Sequence, residues 1–304
     1  MKYGEFKEKI MEELREIYGS RDRVKIIRMP EINGSYDGIQ AAAGTDGARR
    51  GSSWVIRLDE SYREYRDGIL DIEECAYGIY KELSSPMDPE NMELTMKSNT
   101  DWDFARENIH PVLLSTAKNR ELLEGLVSMP MLDLSAAYMI RMKMAGGYLG
   151  EWMVSSRMLK CYGVSSEELH RQAIENMGKD GYQFRDISVM ARNNMHSGIP
   201  VETYDKICGP GKPMYMLTNR GRMYGAAGIL DKKMVRGYAG GRDFIILPTT
   251  IHETFFVPVT DEIDQGYCDR MISKVDRKMV GRKERLTGHS YYYDAGADEI
   301  RMCA

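Results

Sequence analysis

Cysteine is scarce and scattered. The five residues, Cys75, Cys161, Cys208, Cys268 and Cys303, include no Cys-x-x-Cys pair. An odd, unpatterned set excludes the disulfide framework of a small secreted domain and the ligand spacing of a structural zinc site. It points instead to reduced thiols in the cytoplasm. No run approaches the roughly 18 apolar residues of a membrane span. The opening "MKYGEFKEKIMEELREIYG" has no apolar core of the kind a signal peptide needs. A basic excess is missing as well: the net charge is -4, which argues against nucleic acid as the main partner. Phenylalanine is rare, with 6 residues.

Methionine and tyrosine take its place, with 23 and 19 residues. Met fills irregular gaps in cores and also lines adaptable binding surfaces. Periodicity places most of these residues in the core. Residues 5–18 read as an amphipathic helix with Phe6, Ile10, Leu14 and Ile17 on one face. "RVKIIRM" and "SYDGIQAAA" read as strands joined by a turn at "NGS", and "WVIRL" as a third. "DIEECAYGIYKEL" carries a helical stripe of Ile72, Cys75, Ala76, Ile79, Tyr80 and Leu83, and "SSPMDPEN" marks a linker after it.

The middle of the chain has the longest alternation. In "LDLSAAYMIRMKM", Leu132, Leu134, Ala136, Tyr138, Ile140, Met142 and Met144 share one strand face, so a half-buried strand is expected. Gly146 and Gly147 then suit a hairpin turn. Ser165 caps a helix through "SSEELHRQAIENM", with Glu168 completing a capping box. In the last third, "MYMLTN", "FIIL" and "TFFVPV" read as strands. Helices are expected over about 224–238 and through Cys268–Met279. "SYYYD" and "EIRMC" close the chain as a hairpin.

The fold class is α+β, with mixed or antiparallel sheets and helices packed on one face. Four regions are expected: an N-terminal α+β region over 1–98, a middle β-α-β-β-α lobe over 99–181, a linker over 182–212, and a C-terminal lobe over 213–304. The middle and C-terminal thirds share an element order, and Asn119-Arg120 and Asn219-Arg220 follow their first strands, as in a divergent duplication.

For chemistry the eye goes to "LPTTIHETFFVPV". A zinc-protease motif needs a second His one helical turn after the first, so that both imidazoles reach one ion. The residue four after His252 is Phe256, and the flanking Pro248 and Pro258 disfavour a helix. A turn tied down by His252 or Glu253 is the better expectation. A wider set remains: His252, Glu253, His289 and Asp294, all near strand ends, would bind a divalent metal if they converged. Glu107…His110 and Glu167…His170 have di-metal spacing without the helix bundle that goes with it. "STAK" at Ser115–Lys118 lacks its companion motifs. The glycine clusters match neither a P-loop nor a dinucleotide fingerprint. The basic stretch from Arg270 to His289 reads as a solvated face.

The segments "NGSYDGIQ", "RLDESYREYRDG", "MYMLTNRGRMYGAAGIL", "FIILPTTIHETFFVPV" and "SYYYD" resemble, in order, the landmarks of an uncharacterised family of gut anaerobic Firmicutes (DUF5688-like). The resemblance implies a bacterial, intracellular protein and carries no activity, cofactor or catalytic residue. The leading expectation is therefore a non-catalytic cytoplasmic protein that binds an unknown protein partner or a second copy of itself, with no membrane contact. The rival is a metal-dependent, hydrolase-like enzyme using His252, Glu253, His289 and Asp294.

Overall fold

The structure is a computed structural model that describes residues 1–20, 23–41, 55–85, 88–187, 213–260 and 280–302. It is α+β, and its sheets are antiparallel throughout the described pairings. The chain forms two compact units, Met1–Met92 and Glu93–Ala304. The regions read from sequence as a middle lobe and a C-terminal lobe both fall in the second. No helix among the described residues is long and apolar enough to cross a membrane.

In the first unit, α1 (Tyr3–Tyr18) buries Phe6, Ile10 and Leu14 of the stripe its periodicity marks, while Ile17, in the last turn, is exposed. Strands β1 (Val24–Glu31) and β2 (Gly34–Ala41) form the expected hairpin, and β3 (Val55–Arg57) adds to β2. The turn between β1 and β2 holds Asn33 at φ 58°, a left-handed conformation that asparagine tolerates better than most residues. Helix α2 (Leu58–Arg66), which periodicity does not reveal, follows β3 directly. Helix α3 (Ile72–Ser84) starts at a capping box in which Asp71 accepts from Glu74 N and Glu74 reaches back to Asp71 N. Phe6, Ile10, Leu14, Ile39, Leu58, Ala76 and Ile79 form one core. Burying each large apolar side chain contributes about 1.5–3 kcal/mol.

The stretch read as a linker after α3 instead enters a helix, α4 (Pro89–Thr100). Pro89 is tolerated because the first helical position has no intrahelical use for its N–H. A short helix, α5 (Trp102–Ala105), leads to β4 (Ile109–Ser115). Then come α6 (Arg120–Leu123), β5 (Ser128–Met131), β6 (Leu134–Lys143) and β7 (Leu149–Met153). Strand β6 is buried on both faces rather than one, apart from its C-terminal end. Ser135, on the polar side of the alternation, is 6% exposed and bonds Thr116 Oγ1 at 2.8 Å. The strand also starts later than the alternation suggests. Leu132 sits in a turn at φ 57° and is exposed. Gly146 and Gly147, at φ 87° and 83°, make the β6–β7 turn as expected.

Helices α7 (Ser156–Tyr162) and α8 (Ser166–Asn176) follow. Ser165 Oγ caps α8 by accepting from Glu168 N. Part of the expected linker is a strand, β8 (Gln183–Asp186), paired with β9 (Tyr215–Thr218). The helix expected over 224–238 is split. A 3-10 turn over Gly225–Leu230 ends at Asp231, whose carboxylate caps α9 (Lys232–Ala239) by accepting from Lys233 N and Met234 N. Strands β10 (Phe244–Leu247), β11 (Thr254–Pro258), β12 (Tyr291–Asp294) and β13 (Glu299–Met302) complete the sheet, in the order β13-β12-β10-β11-β9-β8. The helix expected through Cys268–Met279 lies outside the described residues.

One topology occurs twice in this unit. In β4, β5 and β6 the spatial order is β4-β6-β5; in β9, β10 and β11 it is β9-β11-β10. Each time the third strand is central and antiparallel to both neighbours. An acidic residue immediately precedes that central strand in both cases: Asp133 before β6 and Glu253 before β11.

Candidate functional site

The β10–β11 connection is a turn, as the prolines and β-branched residues around His252 imply. Thr250 Oγ1 accepts hydrogen bonds from both His252 N and Glu253 N, each at 3.1 Å. Thr249 and Ile251 pair with the segment before β12: Leu286 N donates to Thr249 O, and Ile251 N donates to Glu284 O. From the other side, Thr218 Oγ1 at the end of β9 donates to His252 O at 2.8 Å.

The loop after β9 folds over this turn. Asn219 spans it, with Nδ2 donating to Met223 O and Oδ1 accepting from Met223 N. Arg222 and Tyr224 adopt φ of 52° and 57°. Left-handed conformations at two non-glycine residues cost energy and are held by surrounding contacts. Gly225 explains the closeness of the two segments. A Cβ there would lie 2.5 Å from His252 O and 2.5 Å from Thr218 Oγ1. Tyr224 N donates to His252 Nδ1 at 3.2 Å.

That last bond fixes the imidazole. A ring nitrogen that accepts from an amide cannot carry a proton, so neutral His252 holds its proton on Nε2. Burial lowers its proton affinity below the ordinary histidine value, with Glu284 acting weakly in the opposite sense. Nε2 has no hydrogen-bond partner among the described residues. His252 therefore presents a fixed N–H donor.

Glu253 is its complement. Burial raises the carboxyl above the ordinary glutamate range; the Arg222 charge counters this and the Glu284 charge reinforces it. The carboxyl makes no hydrogen bond or ion pair among the described residues. Asp133, at the corresponding place before β6, is fully engaged: its carboxylate accepts from Thr287 Oγ1 at 2.7 Å and from the Tyr291 hydroxyl. Two buried hydroxyls on either side of His252 and Glu253 in the sequence, Thr249 Oγ1 and Thr254 Oγ1, have no hydrogen-bond partner among the described residues.

Strands β6 and β7 contribute the far side. Arg141 Nε donates to Glu151 Oε1 at 2.8 Å, and the guanidinium carbon lies 5.9 Å from the Tyr224 ring centroid. Burial raises the Tyr224 hydroxyl pKa, helped by Glu151 and opposed by Arg141.

The four residues singled out by sequence do not meet. His252 and Glu253 share the turn. His289 precedes β12, which lies on the other side of β10 from β11. Asp294 ends β12, three residues or about 10 Å beyond the Tyr291–Ile246 pair that marks the His252 end of the sheet. There it accepts from Ala297 N at 3.0 Å and faces Arg301 at 3.6 Å. Among the described residues no group of three or more His, Cys, Asp or Glu is placed to share a metal ion. His110 and His170 are engaged locally, with Asp180 at 3.1 Å and with the Tyr138 hydroxyl at 2.9 Å.

Sequence reasoning missed Thr218, Tyr224, Gly225, Thr250 and Glu284. The visible signal was "TNRGRMYGAAG", a glycine-rich stretch directly after a strand, which marks close backbone approach. Its partner turn lies 28 residues from Tyr224, beyond the reach of local patterning.

The model of a family of unknown function, DUF5688, matches residues 3–295. The chain belongs to that family. No curated protein and no solved structure matches the chain. The DUF5688 match spans both units, so the His252 turn and the N-terminal hairpin lie within one family region.

Proposed function

We propose that this DUF5688 protein is a non-catalytic recognition protein, and that it contacts a partner polypeptide or a second copy of itself at the surface around His252 and Glu253. One observation carries the reading. In one turn, a fixed N–H donor, His252 Nε2, is followed in sequence by Glu253, a carboxyl with no hydrogen-bond or ion-pair partner among the described residues. A main-chain amide complements the two, its C=O accepting from the donor and its N–H donating to the carboxyl. A His general base needs a free lone pair, and here Nδ1 is engaged by Tyr224 N while Nε2 holds the proton. The cysteine pattern supports a cytoplasmic setting, and Cys75 and Cys161 are free thiols.

A second reading, a hydrolase-like enzyme with Glu253 as general acid–base, is favoured by the raised proton affinity of that buried carboxyl. A divalent metal held by His252, Glu253, His289 and Asp294 would require a convergence that the register of β12 opposes.

Native mass spectrometry of the untagged protein from cell lysate tests both, alongside light scattering of the purified chain. The recognition reading expects a dimer or a stoichiometric bound polypeptide, reduced at least tenfold in Glu253→Lys with unchanged circular dichroism. A monomer with no bound polypeptide overturns it. A stoichiometric metal that disappears in His252→Ala moves the assignment to the enzyme.

A further inference from the structure

The first unit holds a pocket of about 440 Å³ that the site in the second unit does not explain. That volume is within the range of small-molecule sites. Tyr3 from α1, Tyr36 from β2 and Tyr62 from α2 line it, together with Arg28, Ser35, Asp37 and Asp59. We propose that the pocket binds a small aromatic carboxylate, its anionic group on Arg28 and Ser35 and its ring against the tyrosines.

The ligand class follows from which wall groups are already engaged. Both wall carboxylates are closed. Arg57 takes the two oxygens of Asp59, with Nε on Oδ1 at 3.2 Å and Nη2 on Oδ2 at 3.1 Å. Lys7 Nζ lies 2.9 Å from Asp37 Oδ2, and the Tyr3 hydroxyl bonds the same carboxylate. A cationic ligand would therefore compete with fixed cations for both aspartates and would also meet Arg28. Arg28 is the opposite case. It stands directly across the β1–β2 ladder from Asp37, where opposite charges favour pairing, yet Lys7 and Tyr3 hold that aspartate. Arg28 makes no ion pair among the described residues, and its Nε donates to Ser35 Oγ at 2.9 Å. Its Nη1 and Nη2 remain as an end-on fork, which a carboxylate fills with two parallel hydrogen bonds. Ser35 Oγ accepts from Nε and keeps its own proton to donate to the same anion. The donors at this wall are thus uncommitted while the acceptors are taken, and that combination selects an anion.

The rings select the rest of the ligand. Tyr3 and Tyr62 lie 5.0 Å apart at an interplanar angle of 60°, which makes an apolar corner rather than a closed stack. The Arg57 guanidinium lies 4.0 Å from the Tyr36 ring centroid and holds that ring in place. A further ring packs on such a wall edge-to-face or offset.

Isothermal titration of the full chain with 3-phenylpropionate tests the proposal, with its uncharged amide, acetate and phenylalanine as comparators. Phenylpropionate should bind saturably. The amide lacks the charge and acetate lacks the ring, so each should bind at least tenfold more weakly. Phenylalanine adds an ammonium that finds its acceptors taken, and it too should bind more weakly than phenylpropionate. Arg28→Gln, at an exposed position on β1, should weaken phenylpropionate about tenfold with unchanged circular dichroism. Three results each overturn the assignment: no saturable phenylpropionate binding, a comparator that binds as tightly as phenylpropionate, or wild-type phenylpropionate affinity in Arg28→Gln.

Discussion

Gly225→Ala tests whether the loop after β9 and the His252 turn are one packed unit. The added methyl would lie 2.5 Å from His252 O, 2.5 Å from Thr218 Oγ1 and 2.8 Å from Asn219 N. All are below any ordinary carbon contact, and two are backbone atoms. His252 O is held by Thr218, and Asn219 caps its own loop, so neither yields without breaking a hydrogen bond. Overpacking of this kind costs about 1–3 kcal/mol, and these neighbours place it at the upper end. Against that, replacing glycine at a compatible φ stabilises by about 0.4–1 kcal/mol through the unfolded chain. The net expectation is a loss of about 2 kcal/mol, or roughly 4–8 °C in Tm for a unit of this size. Gly228→Ala is the internal comparison. Its methyl meets Leu217 Cδ2 and Tyr182 Cε1 at 2.8 Å, both side-chain atoms that can rotate away, so it should cost less. Thermal and urea unfolding of both variants decide the matter. An unchanged midpoint for Gly225→Ala, or a larger loss for Gly228→Ala, would refute the close approach.

The other expectations are briefer. Thr250→Val removes the acceptor for two turn amides and should cost about 1–2 kcal/mol in urea unfolding, whereas Thr250→Ser should match the wild type. Thr254→Val replaces a buried hydroxyl that has no partner among the described residues with a methyl of the same shape; it should be neutral or stabilising, and a loss above about 1 kcal/mol would mean that the hydroxyl has a partner. Asp133→Asn should lose about 2 kcal/mol, since one charged acceptor of two hydroxyls becomes neutral. Glu253→Gln should behave in the opposite sense, and its pH dependence gives the sign. The folded pKa is raised, so the folded state holds the proton more tightly and wild-type stability falls as pH rises from the ordinary glutamate value of 4.5 through the raised one. Glutamine does not titrate there. The variant should therefore be more stable than wild type near pH 7 and equal to it below pH 4.5, and parallel stability curves would exclude a raised pKa.

Legibility followed locality. Three of the four residues of the α1 stripe, the Ser165 cap, the β1–β2 hairpin and the Gly146–Gly147 turn depend on residues a few positions apart, and all appear in the structure. Helix α2 was hidden because only Leu58 of its nine residues is buried, leaving no stripe to read. The alternation in β6 was real, but burial of its polar face depends on Thr116, Thr287 and Tyr291, the last more than 150 positions from Asp133. The long helix expected over 224–238 failed at Tyr224 and Asp231, where backbone conformation and capping override a helical composition. For the site, the His-Glu pair was visible and its setting as a turn was readable from Pro248 and Pro258. The Tyr224 amide that sets the His252 tautomer could not be read, because nothing in a one-dimensional pattern brings the two segments together.

Asp133 and Glu253 contrast an engaged acid with one that, on the proposed reading, is kept for a partner. Both stand at the entry to the central strand of the same three-stranded topology. At Asp133 the protein supplies Thr287 and Tyr291, two donors from one later segment of the chain, and the carboxylate closes the packing of β6. At Glu253 no described residue donates, Glu284 adds a like charge, and the Thr249 and Thr254 hydroxyls have no partner among the described residues. Burying a carboxyl in that state is unfavourable for folding alone, and such a cost persists in a chain when another task requires it. A bound amide would remove it by donating to the carboxyl and accepting from His252. The destabilising Asp133→Asn and the stabilising Glu253→Gln would then be opposite answers to one question. Only the second substitution should weaken association while strengthening the fold.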